Sequence, residues 1–121
     1  MTTLCEIHGM KEIQVGDIFR MSWGYDQTNV DYFQVVRLTP KGVVVREIEH
    51  EEVPGTNKGG MSCMVRPLKD RFAKQSHWIA DNNVGVSRRV NQGEKPSMSF
   101  GSRYWAFFAE PNETAFCSWY A

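Results

Sequence analysis

The sequence lacks several features that would assign it to a functional class at once. It contains no Gly-rich phosphate-binding signature, no H-E-x-x-H motif, no nucleophile elbow and no paired metal-ligand spacing. Basic and acidic side chains balance at 14 each, so the net charge favours neither a nucleic acid nor a membrane and argues against an acidic mimic of DNA. We therefore predict a protein that is not an enzyme and that has no catalytic residues, cofactor or metal.

Cysteines are few and widely spaced. Cys5, Cys63 and Cys117 are odd in number and include no C-x-x-C pair, a pattern that is poor material for a disulfide framework and typical of a reducing compartment. We expect three thiols. No apolar run approaches the ~20 residues that span a bilayer, and the N-terminus lacks both a basic and an apolar leader region. These absences predict a cytoplasmic protein.

A helical period is also missing, whereas apolar residues recur at period two in β-branched and aromatic runs. We predict one mainly β domain over 1–121, a small antiparallel barrel or strongly curved sheet of about six strands, SH3-like or OB-like, with little helix. Residues 1–14 form a loose lead, 16–53 a three-stranded meander and 97–121 a closing hairpin. The predicted core consists of Phe19, Met21, Trp23, Phe33, Val35, Val43, Val45, Ala106 and Phe108.

Three places interrupt the regular strand pattern. In a regular third strand, Glu47, Glu49 and Glu51 would lie on the same face as Val43 and Val45, which predicts a bulge or an early strand end there. Pro67 lies inside a strand-like run, and proline is expected at a strand edge or end because it has no N–H to donate. The segment 70–83 fits a one-sided helix only in part, and its conformation stays open.

The stretch "SWGYDQTNVDYF" at 22–33 is the most unusual in the chain, because it combines four large aromatics with acidic and amide side chains. Asp26 and Asn29 are natural Asx-turn formers, but a turn does not require the neighbouring aromatics and amides. Loops of this chemistry on a rigid scaffold often carry recognition. Two interpretations stand equally, a structural turn network and a recognition loop. The partner-binding residues predicted for the latter are Tyr25, Asp26, Gln27, Asn29 and Tyr32.

Basic residues are interleaved with aromatics in the second half of the chain, a composition that grooves for single-stranded nucleic acids use. The alternative interpretation is scattered surface charge with core aromatics. The residues predicted to contact nucleic acid or a partner are Arg71, Lys74, Trp78, Arg88 and Arg89.

Two weaker signals have simpler explanations. Cys5-x-x-His8 has half the spacing of a zinc site, but an incidental thiol in a loose lead is the better interpretation. His50 stands among glutamates and resembles half of an acid–base pair, although a solvated acidic edge explains it more simply.

The segment "VGDIFRMSWGYDQTNVDYFQVV", followed by "VVVREI" and by "YWAFFAEPNETAFCSWYA", resembles small uncharacterised proteins encoded by bacteriophages, prophages and plasmids. The similarity covers residues 16–48 well and the last twenty residues loosely. The family has no assigned activity, so the resemblance implies a setting rather than residue roles. Small mobile-element proteins without catalytic signatures are often binders of host machinery.

The resemblance implies a non-enzymatic protein that blocks a host protein or nucleoprotein complex in the cytoplasm of a bacterial host cell, as an anti-CRISPR or related anti-defence inhibitor. Two alternatives remain. The first is a small β-barrel that binds nucleic acid, and the second is a small-ligand binder or enzyme that uses the 22–33 loop and the acidic region around His50.

Overall fold

The computed structural model describes residues 12–24, 27–56, 62–92, 95–101 and 103–118, and these are all-β with no helix. The strands are β1 (Ile18–Trp23), β2 (Asn29–Thr39), β3 (Gly42–Glu52), β4 (Ser62–Phe72), β5 (Val86–Arg88), β6 (Ser97–Ser99), β7 (Trp105–Ala109) and β8 (Ala115–Ser118). They form one antiparallel sheet in the order β6-β7-β1-β2-β3-β4-β8, and β5 pairs with β3. The predicted mainly β fold is confirmed, with eight described strands in place of about six.

The first three strands form an antiparallel meander. β1 pairs with β2 from Ile18 opposite Gln34 to Trp23 opposite Asn29. β2 pairs with β3 down to Thr39 opposite Gly42, so that Pro40 and Lys41 occupy the two central positions of the connecting turn. Proline at the first of these positions has its φ already fixed near the value that such a turn needs.

The sheet curls until its far end returns to β2. β8 pairs with β4 between Ser62 and Val65. The amide of Ser118 then donates to the carbonyl of Thr28 at 2.9 Å, and the amide of Thr28 donates to the Ser118 hydroxyl at 3.0 Å. β2, β3, β4 and β8 therefore enclose one face of the sheet as a half-barrel.

The closing hairpin predicted for 97–121 differs from the observed pairing. A turn does separate β7 from β8, with the amide of Glu113 donating to the carbonyl of Glu110 at 3.0 Å. The two strands do not pair, however, because β7 already has β1 on one edge and β6 on the other. β8 instead pairs with β4 at the opposite end of the strand order. The hairpin in this region is formed by β6 and β7.

Both irregularities expected around β3 and β4 are present. The β3–β4 register shifts between Ile48 and His50, which is the predicted bulge. Pro67 pairs with His50 on one side, while β8 reaches only as far as Val65, so proline lies where β4 is an edge strand and its missing N–H costs no ladder bond. The segment 70–83 is not a helix: it completes β4 at Phe72 and then continues in bends and turns.

Hydrophobic cores lie on both faces of the sheet. The first core lies on the face of the sheet that is covered by the segments following β4. On this face the rings of Phe33 and Phe100 stack with their centroids 4.5 Å apart. Its buried members are Phe19, Met21, Phe33, Val35, Val43, Val45, Ile79, Met98, Phe100 and Ala106. The second core fills the half-barrel. Its buried members are Ile18, Val30, Tyr32, Ile48, Cys63, Val65, Ala109 and Ala115.

The predicted core corresponds to the first of these. Trp23 and Phe108 are half-buried and pack against it, and the other seven predicted residues are fully buried. The second core was not predicted.

Within the described part of the chain, no helix is long and apolar enough to cross a membrane.

Candidate functional site

The stretch 22–33 comprises the end of β1, a tight connection and the start of β2. Gly24 has a φ of +121°, and a Cβ at this position would lie 2.1 Å from the carbonyl oxygen of Gln27. Only glycine therefore fits, because any side chain would clash with the backbone and strain φ. Tyr25 and Asp26, both predicted to bind a partner, lie outside the described residues.

Asp31 organises the aromatic side chains around this connection. Its Oδ2 accepts the indole N–H of Trp23 at 2.7 Å and that of Trp78 at 2.9 Å. The two indoles meet edge to face at 5.3 Å, and the His77 ring lies parallel to Trp23 at 6.0 Å. Asp31 thus connects β1 to the segment after β4, which is a structural role for a residue of the unusual stretch.

Glu47 and Asn82 attach the same segment to β3. The Ser76 hydroxyl donates to Oε1 of Glu47 at 2.5 Å and accepts the amides of Trp78 and Ile79, each at 3.1 Å. The Ser76 oxygen thus connects the Glu47 carboxyl on β3 to the backbone of the segment after β4. Glu47 and Ser76 form a tether between the two.

Asn82 is the buried centre of this tether, with 3% of its surface exposed. Its side-chain amide donates to the carbonyl oxygens of Glu47 at 2.9 Å and of Ala73 at 2.7 Å, and its Oδ1 accepts the amide of Glu47 at 2.7 Å. Arg46 adds a bond from its Nε to the Asn82 carbonyl at 2.6 Å. The side chain satisfies backbone groups that an irregular segment cannot pair with a neighbouring strand.

Burial is the largest cause that raises the pKa of Glu47 from 4.5 to about 7; the Asp31 carboxylate raises it further, and the Ser76 hydrogen bond opposes both. Between these two values the folded protein binds more protons than the unfolded chain, so the free energy of unfolding should fall as pH rises. We expect a loss of about 1–2 kcal/mol between pH 5 and pH 8, discounted because the carboxyl is only half-buried.

Glu47→Gln provides the matched control, because the amide oxygen still accepts from Ser76 but does not titrate in this range. Thermal melts of both proteins across pH 5–8 should show that the variant is more stable than the wild type at pH 8 by about 1–2 kcal/mol. The two should converge near pH 5. Parallel profiles for the two proteins would mean that Glu47 is not the titrating group.

The remaining predicted partner-binding residues lie in two different environments. Gln27 and Asn29 are half-buried beside the connection, with the amide of Gln27 3.4 Å from Oδ1 of Asn29. Tyr32 contradicts the prediction, since its side chain is 1% exposed in the second core. Burial raises the pKa of Tyr32 to about 12. Strand alternation explains the error, because Tyr32 points to the face opposite to Asp31 and Phe33.

The predicted basic contact residues do not form one surface. Arg88 lies opposite Val43 near the start of β3. Arg71 is next to Phe72, which lies opposite Ile48 farther along β3. Val43 and Ile48 are about 17 Å apart along the strand. Arg71 also pairs with Glu49 at 3.4 Å, and the Arg88 guanidinium lies over the Phe100 ring at 5.0 Å. Trp78 is half-buried in the Asp31 cluster, whereas Lys74 and Arg89 are exposed.

A different set of side chains is exposed on the face of β7. Trp105 and Phe107 are each 43% exposed and alternate with the buried Ala106. Phe107 lies opposite Ser97 on β6 and Arg20 on β1, and Trp105 lies opposite Ser99. We call these five residues the aromatic face. Sequence alternation contained the signal for it, since placing Ala106 and Phe108 in the core directs Trp105 and Phe107 outward.

The aromatic face continues the surface on which the second core lies. Ala109, at the end of β7, is buried in that core and shares the β7 face of Trp105 and Phe107. Arg20 joins the two regions and is bonded to the carboxylate of Glu113 at 2.5 Å, with both side chains partly exposed. The half-barrel therefore covers one end of this surface and leaves two large rings accessible at the other.

The remaining predicted features fall elsewhere. Cys5 and His8 lie outside the described residues, within which no group of three His, Cys, Asp or Glu side chains could hold a metal. His50 is exposed, with its ring 5.8 Å from that of Tyr32. A groove of about 350 Å³ is lined by residues 12–13, 38–43, 90 and 92. It lies at the turn between β2 and β3, at the end of β2 away from the 22–33 loop proposed as a ligand site.

Comparison with known proteins identifies no relative of this chain. No protein-family model matches it, and neither a curated protein nor a solved structure shows significant similarity.

Proposed function

We propose that this chain is a non-enzymatic binding protein that acts by covering a surface of a host protein or nucleoprotein complex. The observation that carries the proposal is the aromatic face, where Trp105 and Phe107 are accessible on a paired strand. The resemblance to phage, prophage and plasmid proteins supplies the setting, an anti-CRISPR or related anti-defence inhibitor in the cytoplasm of a bacterial host cell.

The composition of the aromatic face supports binding to a protein. Aromatic residues and arginine are enriched at protein interfaces and dominate their binding energy. Trp105, Phe107 and Arg20 supply these types within two neighbouring strands. Exposing two large rings side by side gains nothing for an isolated domain, because their apolar area remains in water.

The position of the rings also lowers the entropic cost of binding. β7 is paired on both edges, with β1 and with β6, so its backbone is fixed before a partner arrives. Rings have few rotatable bonds, and a preorganised surface loses less conformational freedom on association. The Arg20–Glu113 pair beside Phe107 provides the polar groups typical of an interface rim.

A nucleic-acid partner is the principal competitor, because exposed rings on a sheet also stack on bases. It would require cations beside the rings to contact phosphates. Arg20 is neutralised by Glu113, and the basic residues predicted for this role are divided between the two ends of β3. These two observations favour the protein partner.

Trp105→Ala with Phe107→Ala should abolish capture of the partner and leave the melting temperature within about 3 °C of the wild type, because exposed side chains contribute little to stability. Affinity capture from host lysate, followed by mass spectrometry and a titration with the purified partner, measures the first effect. Thermal melts measure the second.

Phe116→Ala is the matched control. Phe116 is 53% exposed on β8 but points away from the second core, to which the neighbouring Ala115 belongs. This variant should bind as the wild type does. Equal loss of binding in both variants would refute the assignment to β7. Capture of nucleic acid alone, with affinity that falls steeply as salt rises, would replace the protein partner by the competing function.

A further inference from the structure

Two of the three cysteines meet across the strands that close the half-barrel. Cys63 on β4 lies directly opposite Cys117 on β8 in the antiparallel register. Both are free thiols; Cys63 is 5% exposed in the second core, and Cys117 is half-buried against that core. They are separated by most of the second half of the sequence, so their meeting is a consequence of the unexpected pairing of β8 with β4.

The pairing places both thiols within reach of a covalent bond. Residues directly opposite in an antiparallel pair point to the same face. Their Cα atoms lie about 4.5 Å or about 5.5 Å apart, depending on the type of pair. Both values fall within the ~4.4–6.8 Å range of disulfide-bonded cysteines. Only rotation of the side chains is then needed to bring the sulfur atoms together.

We propose that Cys63 and Cys117 form a redox site, in which an intramolecular disulfide reversibly fastens the last strand to β4. This inference is independent of the proposed function. The oxidant is a low-molecular-weight disulfide such as oxidised glutathione, which yields one protein disulfide and two free thiols.

The reaction proceeds in two exchange steps. The thiolate of Cys117, the more accessible cysteine, attacks one sulfur of the oxidant, breaks its S–S bond and releases one small thiolate, which takes up a proton. The thiolate of Cys63 then attacks the Cys117 sulfur of the mixed disulfide and releases the second small thiolate, which is protonated in turn. The two protons lost by the protein thus reside on the two released thiols.

The surroundings of the pair make the reaction slow at neutral pH. Burial is the largest cause that raises the pKa of Cys63 and of Cys117. The carboxylate of Glu52 raises the pKa of Cys63 further, and that of Asp31 raises the pKa of Cys117 further. Because only the thiolate attacks a disulfide, the rate should rise about tenfold per pH unit below the pKa. The pair therefore remains reduced during brief exposure to oxidant and forms its bond under sustained oxidation.

Oxidation should stabilise the fold. Among the described residues, β8 is held by its short pairing with β4, by the two bonds between Ser118 and Thr28, and by the packing of Ala115 and Cys117 in the second core. A disulfide that closes a long loop restricts the unfolded chain and raises the melting temperature, here by about 5–15 °C. Opening of this end of the half-barrel should become correspondingly rarer.

The test uses the full chain with Cys5→Ser, equilibrated with excess oxidised glutathione at pH 8.5. We expect the intact mass to decrease by two hydrogen atoms, both thiols to be lost, and the melting temperature to rise until a reductant restores it. Cys117→Ser in the same background should instead show no rise. Cys63→Ala provides a second control that leaves the accessible thiol in place, and it should stop at the mixed disulfide.

Three outcomes would overturn the proposal. One is a protein that keeps both thiols after prolonged oxidation although the denatured chain reacts. Another is a stable product with two glutathione adducts, which would show that the thiols do not reach one another. The third is a disulfide-linked dimer that forms in preference to the monomeric product.

Discussion

Asn82→Ala should lower the free energy of unfolding by about 2–4 kcal/mol, because buried backbone groups left without a hydrogen-bond partner cost about 1–3 kcal/mol each. The side chain satisfies the amide and carbonyl of Glu47 and the carbonyl of Ala73. Its removal leaves the Glu47 amide without this acceptor in a region that water does not reach freely. Urea unfolding with a fixed m-value measures the loss.

Asn82→Asp separates hydrogen bonding from packing at this position. The carboxylate keeps an acceptor for the Glu47 amide but loses both donors and places a charge near that of Glu47. It should be at least as destabilising as Asn82→Ala, since unpaired charge is costly to bury. As a second control, Asn83→Ala alters an exposed neighbour and should change stability by less than about 0.5 kcal/mol. A small effect of both Asn82 variants would show that the tether is dispensable.

Most of the first core was predictable, because its residues on β1, β2 and β3 follow a period of two on strands that are adjacent in sequence, whereas Ile79, Met98 and Phe100 were not predicted. Phe19 and Met21 on β1 and Phe33 and Val35 on β2 share one face in the observed register. Short connections bring such strands together, so local pattern and long-range structure agree.

The second core was not evident, because β2 is apolar on both faces. Val30 and Tyr32 alternate with Asp31 and Phe33, and both sets are covered by protein. A strand with this composition does not indicate which residues face outward. The sequence pattern therefore predicts Tyr32 in a recognition loop, although the residue is only 1% exposed.

The pairing of β8 was not predictable from the turn that precedes it. A short turn between two strands normally indicates a hairpin. The turn does not show, however, whether another strand already pairs with the edge of the first strand. β6, a strand of three residues with little pattern of its own, takes the edge of β7 that β8 would have needed. Cys63 and Cys117 lie opposite each other because β8 pairs with β4 instead of with β7.

The tether between Asn82 and Glu47 could not be predicted from local sequence pattern either. Asn82 and Glu47 are separated by 35 residues, and the segment between β4 and β5 has no regular period. Its polar residues resemble an ordinary solvated loop, whereas Asn82 is buried because it substitutes for strand pairing. The aromatic face, in contrast, was implied by the predicted core, since Trp105 and Phe107 alternate with Ala106 and Phe108.

Trp23→Ala should lower the free energy of unfolding by about 3 kcal/mol, near the lower end for a large aromatic because the ring is only half-buried. The substitution removes packing against the first core and against Trp78, together with the indole donor to Asp31. Trp23→Phe keeps most of the packing and loses the donor alone, so it should cost about 1 kcal/mol. Chemical unfolding of both variants divides the role of Trp23 into these two parts.

Gln27→Ala is the comparison that decides what the 22–33 stretch does. Gln27 is half-buried at the connection, and truncation there should change stability by less than about 0.5 kcal/mol if its role is recognition. Binding to the captured partner should then weaken while the melting temperature stays constant. A loss of stability in Gln27→Ala that approaches that of Trp23→Ala, with binding reduced only in proportion to unfolding, would establish the stretch as a structural turn network. In that case the aromatic face on β7 would remain as the site of recognition.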